Sequence, residues 1–156
     1  GEVIVLRDEV QAYYQKERLA GIQDVLENYP EIDIIIRGTE DTNEQVISTT
    51  QQLMNDAPRA TAFIAINANY AGPMIQEIGR RTQVEPYHIY TFDDGVESTT
   101  LLEQGKLDGI LEQKPEQMGE ESVKWLMEWI SGETVPLNSS GYLTETKMLV
   151  SDGDKP

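Results

Sequence analysis

The strongest constraint on this chain is a rhythm of alternating apolar patterns. Short apolar runs rich in β-branched residues alternate five times with segments whose apolar residues recur at helical spacing. Val3 to Leu6, Ile32 to Ile36, Ala62 to Ile66, Tyr87 to Phe92 and Leu107 to Glu112 read as strands. Helices are predicted from about Gln15 to Asn28, Asn43 to Asp56, Ala71 to Arg81, Glu97 to Gln104 and Pro115 to Ser131. Leu19, Ile22, Val25 and Leu26 give the first helix its apolar stripe, and Pro30 stops it. The isoleucine run at 32–36 fits a strand covered on both faces. Pro73 is expected in the first turn of its helix, where a missing N–H costs little. Such alternation with short connections predicts an α/β fold: a parallel sheet of about five to six strands with helices on both faces. After Gly132 the chain offers only short extended pieces, at Tyr142 to Thr144 and Lys147 to Val150. Residues 1–150 therefore read as one lobe, and residues 151–156 as a flexible tail.

Composition narrows the function. Among 156 residues the net charge is -16. Such a surface repels phosphate backbones and anionic lipid, so no nucleic-acid partner is expected. There is no cysteine, which removes disulfides, thiolate metal sites and cysteine nucleophiles. No apolar run reaches the length of a membrane span. The opening Gly-Glu-Val-Ile-Val-Leu is no signal peptide. It reads as the start of a strand, as in a fragment that begins at a domain boundary.

In parallel α/β sheets, ligands sit beyond the carboxyl ends of the strands. Asn67 follows the third strand, Asp93 and Asp94 the fourth, and Gln113 the fifth. Arg18 lies early in the first helix. Asp accepts two hydroxyls, Arg donates in a fork, and Asn and Gln do both, the mixture a polyol requires. Phe92, Tyr70 and Tyr90 are candidate rings for the apolar face of a pyranose. Plainer roles compete. Arg18 can pair with a neighbouring glutamate, Asn67 and Asp93 can cap helices, and Gln113 can serve as a hinge. Adjacent Asp93 and Asp94 diverge and make a poor acid/base pair. His88, the one histidine, reads as structural. Trp125 and Trp129 read as a packing stripe. Asp152-Gly153-Asp154 lacks the ligand count of a calcium loop, and the sequon at Asn138 carries little meaning. With no phosphate loop, nucleophile elbow or metal cluster, neither an enzyme nor a cofactor is expected.

Four segments carry a family resemblance. They are Glu17-Arg18-Leu19-Ala20-Gly21-Ile22, Ala62 to Asn67, Phe92-Asp93-Asp94-Gly95, and Gly105-Lys106-Leu107-Asp108-Gly109 leading to Gln113-Lys114-Pro115 and Gly119. In this order and spacing the chain resembles the C-terminal lobe of type I periplasmic binding proteins, the ribose- and galactose-binding receptors of ABC importers. The resemblance implies an extracytoplasmic receptor, periplasmic or lipid-anchored at the cell surface, that binds a sugar without catalysis. Its partner would be an importer permease or a sensor kinase. It puts Arg18, Asn67, Asp93 and Gln113 on the sugar. Ala68 departs from the family's acidic residue, and Asp41 or a neighbour stands where some members stack an aromatic ring. The resemblance also implies a second lobe that closes on ligand by a hinge, with helix 115–131 packed on it. If that lobe is truly absent, self-association, domain swapping or an altered dock of helix 115–131 is expected. The alternative reading is the sugar-effector domain of a lac-repressor-like regulator. The Gly105 to Gly109 turn and the Gln113-Lys114-Pro115 segment favour the receptor.

Overall fold

A computed structural model describes residues 1–81, 86–132 and 144–151. The elements run β1 (Glu2–Asp8), α1 (Tyr13–Leu26), β2 (Asp33–Thr39), α2 (Asn43–Asp56), β3 (Ala60–Ala65), α3 (Ala68–Ile78), β4 (His88–Phe92), α4 (Val96–Glu103), β5 (Gly109–Glu112), α5 (Pro115–Ile130) and β6 (Lys147–Val150). The sequon at Asn138, residues 142–143 of the expected extended piece and the segment 152–156 lie outside the described residues.

Local chemistry sets the element ends. The Thr42 hydroxyl caps α2 by accepting the Gln45 N–H at 3.3 Å, and Glu44 sits in the favourable first turn. Pro115 opens α5. Gly105 follows α4 with φ +67°, a left-handed turn that glycine takes without strain. Helix α3 differs from the sequence expectation. It begins at Ala68, directly after the strand-ending Asn67, so Pro73 lies in the helix interior and not in its first turn. The ring is buried, and its missing N–H leaves the Asn69 carbonyl without its helical donor.

The sheet has order β2-β1-β3-β4-β5-β6. The first five strands are parallel. β6 departs from the parallel pattern: it runs antiparallel to β5, with Lys147 opposite Glu112. The chain therefore leaves β5 and re-enters β6 at the same end of the sheet.

Strand register sorts the side chains onto two unequal faces. On one face Ile4, Leu6, Phe63, Ala65, Ile89 and Ile110 are buried. Val46 and Leu53 of α2, Tyr70 and Met74 of α3 and Leu102 of α4 complete that core. The opposite face carries Val3, Ile34, Ile36, Ala62, Ile64, Tyr90, Phe92 and Leu111, and α1 is the helix beside it. Most of these residues are only half-buried. An open apolar groove of about 520 Å³ remains between α1 and strands β3 to β5. The isoleucines of β2 are half-buried as well, because β2 is an edge strand beside this thinly covered face. No residue of α5 is buried.

Uneven cover predicts uneven stability. Leu53→Ala or Met74→Ala should cost about 2–5 kcal/mol by urea unfolding, since each empties a closed core site. Ile64→Ala, beside the groove, should cost about 1 kcal/mol or less, because water already reaches it.

Candidate ligand site

The five parallel strands end at one edge, and residues at the ends of β1, β3 and β4 converge there. Arg18, on the second turn of α1, reaches across to the segments after β3 and β4. Its Nη1 donates to the Ile66 carbonyl at 2.8 Å and to Asp93 Oδ2 at 2.8 Å. Its Nη2 donates to Asp93 Oδ1 at 2.6 Å. This two-point fork is the strong, directional form of a carboxylate–guanidinium pair. The Tyr14 and Phe92 rings each lie 4.8 Å from the guanidinium carbon, within cation–π range. The Arg18 side chain is 9% exposed and that of Asp93 38%. The fork thus has a buried donor and an acceptor open to solvent.

Asp93 has φ +66°, a left-handed conformation uncommon for a residue with a Cβ and least costly for Asp and Asn. The surroundings hold it there. Its N–H donates to the Leu111 carbonyl at 3.1 Å, and Ser98 Oγ donates to its carbonyl at 3.4 Å. β5 and α4 fix the backbone while Arg18 fixes the side chain.

Asn67 occupies the N-cap position of α3, yet its side chain does not cap. Its Oδ1 accepts from Arg18 at 3.4 Å, and its Nδ2 donates to Asp8 Oδ1 at 3.4 Å. The Tyr70 hydroxyl also donates to Asp8. Nearby in sequence, Asn69 Nδ2 donates to Asp41.

Three of the four sequence-predicted residues, Arg18, Asn67 and Asp93, therefore form one network. Arg18 pairs with an aspartate 75 positions away and not with a neighbouring glutamate. Gln113 lies between β5 and α5, half-buried, and its side chain makes no hydrogen bond among the described residues. Asp94 is exposed. The ring candidates need correction. Tyr70 is fully buried beneath the sheet, Tyr90 lines the open groove, and Phe92 lies against Arg18. None of the three presents a free ring at the strand-end edge. Sequence reading missed Asp8 and Tyr14. Asp8 ends β1 at the carboxyl edge of the sheet, and Tyr14 precedes Arg18 by one helical turn, so both carried a positional signal. His88 Nδ1 lies 3.3 Å from Asp108 Oδ1, away from this cluster. Among the described residues no group of His, Cys, Asp or Glu could hold a metal ion.

A model of the periplasmic binding protein domain matches residues 1–134. The chain belongs to this family. GanP, a glucose-galactose binding protein from Geobacillus stearothermophilus, superposes with TM-score 0.85 at 24% identity, over 96% of this chain and 53% of that one. An ABC transporter periplasmic solute binding protein from Actinobacillus succinogenes 130z, with bound D-allose, gives TM-score 0.85 at 18% identity, over 97% and 53%. The XylFII-LytSN complex gives 0.81 at 17% identity, over 97% and 53%. No curated protein matches the chain. The chain spans about half the length of these solved chains.

The fork should be measurable as a coupling. A double-mutant cycle of Arg18→Ala and Asp93→Ala, read by urea unfolding, should return about 1–2 kcal/mol. Arg18→Lys should recover less than half of it, because an ammonium cannot donate as a planar fork.

Proposed function

We propose that this chain is the sugar-contacting lobe of an extracytoplasmic solute receptor that binds its ligand reversibly and catalyses nothing. The observation that carries this reading is the Arg18–Asp93–Asn67–Asp8 network at the carboxyl edge of the sheet. A polyol hydroxyl both donates and accepts, and needs fixed partners of both kinds. Asp93 supplies acceptor lone pairs beyond those the fork uses. Asn67 and Gln113 offer carboxamides at the same edge. Much of Arg18's donor capacity is spent on Ile66 and Asp93. Its larger role is to hold the Asp93 carboxylate in one orientation, and its direct contribution to ligand is what remains.

A rigid, prearranged acceptor loses little entropy when ligand arrives. The sugars named for the similar structures, glucose-galactose and D-allose, are of the class this network suits. Membership of the family supports a second lobe closing over the ligand, with the closed state favoured by ligand contact. A membrane partner, importer or sensor, would then read the closed geometry. The XylFII-LytSN complex supports a protein partner, and the ABC transporter solute binding protein of Actinobacillus succinogenes supports the transport arm.

The test is an NMR titration of this chain with a panel of pentoses and hexoses. One lobe supplies part of the contacts, so the expected dissociation constant is on the order of millimolar. Shifts should centre on Arg18, Asn67 and Asp93, and Asp93→Ala should weaken binding at least about tenfold. A panel that shifts no resonance, or shifts only residues remote from the strand ends, would overturn the reading.

A further inference from the structure

Asp8 brings a carboxylate to the strand-end network without bringing a cation. It ends β1, and its Oδ1 accepts from two neutral donors, the Tyr70 hydroxyl and Asn67 Nδ2. Its Oδ2 makes no hydrogen bond among the described residues. Arg18, the cation of the network, is spent on Asp93. Arg7 precedes Asp8, so strand alternation turns it to the other face of the sheet, where its Nη1 donates to the Asp8 and Glu9 carbonyls. Tyr70 is fully buried, so the donor that holds Asp8 is itself held by the core. Two carboxylates against one guanidinium leave the joined network with one net negative charge.

We propose that Asp8 is a further specificity-determining residue of this edge, favouring sugars that bear a protonated amino group and excluding sugars that bear a carboxylate or phosphate. The inference rests on the sugar site proposed above and names the class of sugar that site takes. Asp8 acts in two ways. It orients Asn67, whose amide offers two N–H donors and a carbonyl with two lone pairs. Asp8 takes one N–H and Arg18 fills one lone pair, each at 3.4 Å. Turning the amide over would set Nδ2 against the guanidinium and Oδ1 against the carboxylate, two repulsive contacts. One donor and one lone pair of Asn67 therefore remain for ligand, on fixed sides. Asp8 also leaves its own charge unneutralised beside that amide. A ligand held by Asn67 lies close enough for a unit charge on it to change affinity about tenfold. An ammonium gains that factor, and a carboxylate or phosphate loses it. The net charge of -16 over the whole chain acts in the same direction.

The test titrates this chain with D-glucose and D-galactose, each beside its 2-amino and its uronic acid counterpart, at about pH 6, where a sugar amine is protonated. At least one amino sugar should bind about tenfold more tightly than its neutral counterpart, and neither uronate should bind measurably. The preference should shrink as salt is raised. Asp8→Asn keeps an acceptor oxygen and removes the charge, so the amino-to-neutral affinity ratio should fall to about one. Tyr70→Phe keeps the charge and should keep the ratio, which separates the charge of Asp8 from disturbance of its surroundings. Should Asp8→Asn not fold, the wild-type ratio and its salt dependence decide alone. Without any sugar, the Asn67 side-chain N–H protons should exchange slowly, and Asp8→Ala should speed their exchange. Equal affinity for neutral and amino sugars, uronates bound as tightly as either, or a preference that survives Asp8→Asn would overturn the proposal and leave the sugar site standing. A chain that binds no sugar of any charge would remove the sugar site, and this proposal with it.

Discussion

The fork between Arg18 and Asp93 is the interaction on which the arrangement of the strand-end edge depends. It joins the first helix to the loop after the fourth strand, across 75 positions of sequence. Around it three segments take fixed positions. The Ile66 carbonyl and the Asn67 carboxamide are held by the same guanidinium, and Phe92 and Tyr14 lie against it. Asp93 itself sits in a left-handed backbone conformation. Such a conformation persists where the surroundings over-determine it, and here β5, α4 and Arg18 all bear on the one residue. The result is a carboxylate half open to water whose orientation is set from beneath.

The sheet that carries this edge is finished on one side only. Three helices close the face that holds Phe63 and Ile110, whereas α1 alone stands over Ile64 and Tyr90. A parallel sheet ordinarily has both faces covered. Here the groove beside α1 stays open, and no residue of α5 is buried. The polar network lies at the carboxyl edge of this sheet.

Much of this was legible in the sequence. Alternation of apolar runs with helical stripes placed five strands and five helices, and α2 spans the predicted 43–56. Arg18, Asn67 and Asp93 were found through strand-end logic and the family resemblance, and the network joins them. What escaped were features that depend on distant partners. That β6 is antiparallel follows from where α5 returns, which local pattern does not encode. That Pro73 falls inside α3 follows from Asn67 starting the helix early. Burial of Tyr70 beneath the sheet follows from strand order, and no local spacing marks it as core and not as platform. Asp8 carries no motif beyond its place at the end of β1, and joins the network because Asn67 and Tyr70 reach it.

The central claim is that the buried guanidinium of Arg18 holds the floor of a sugar site. The most direct measurement is the Arg18 side-chain N–H resonances in isotope-labelled protein, followed through titration with individual pentoses and hexoses. The account predicts slowly exchanging guanidinium protons before ligand, since the group is buried and hydrogen-bonded, and a saturable shift with at least one sugar. Rapidly exchanging protons, or a guanidinium indifferent to every sugar while another region responds, would contradict it.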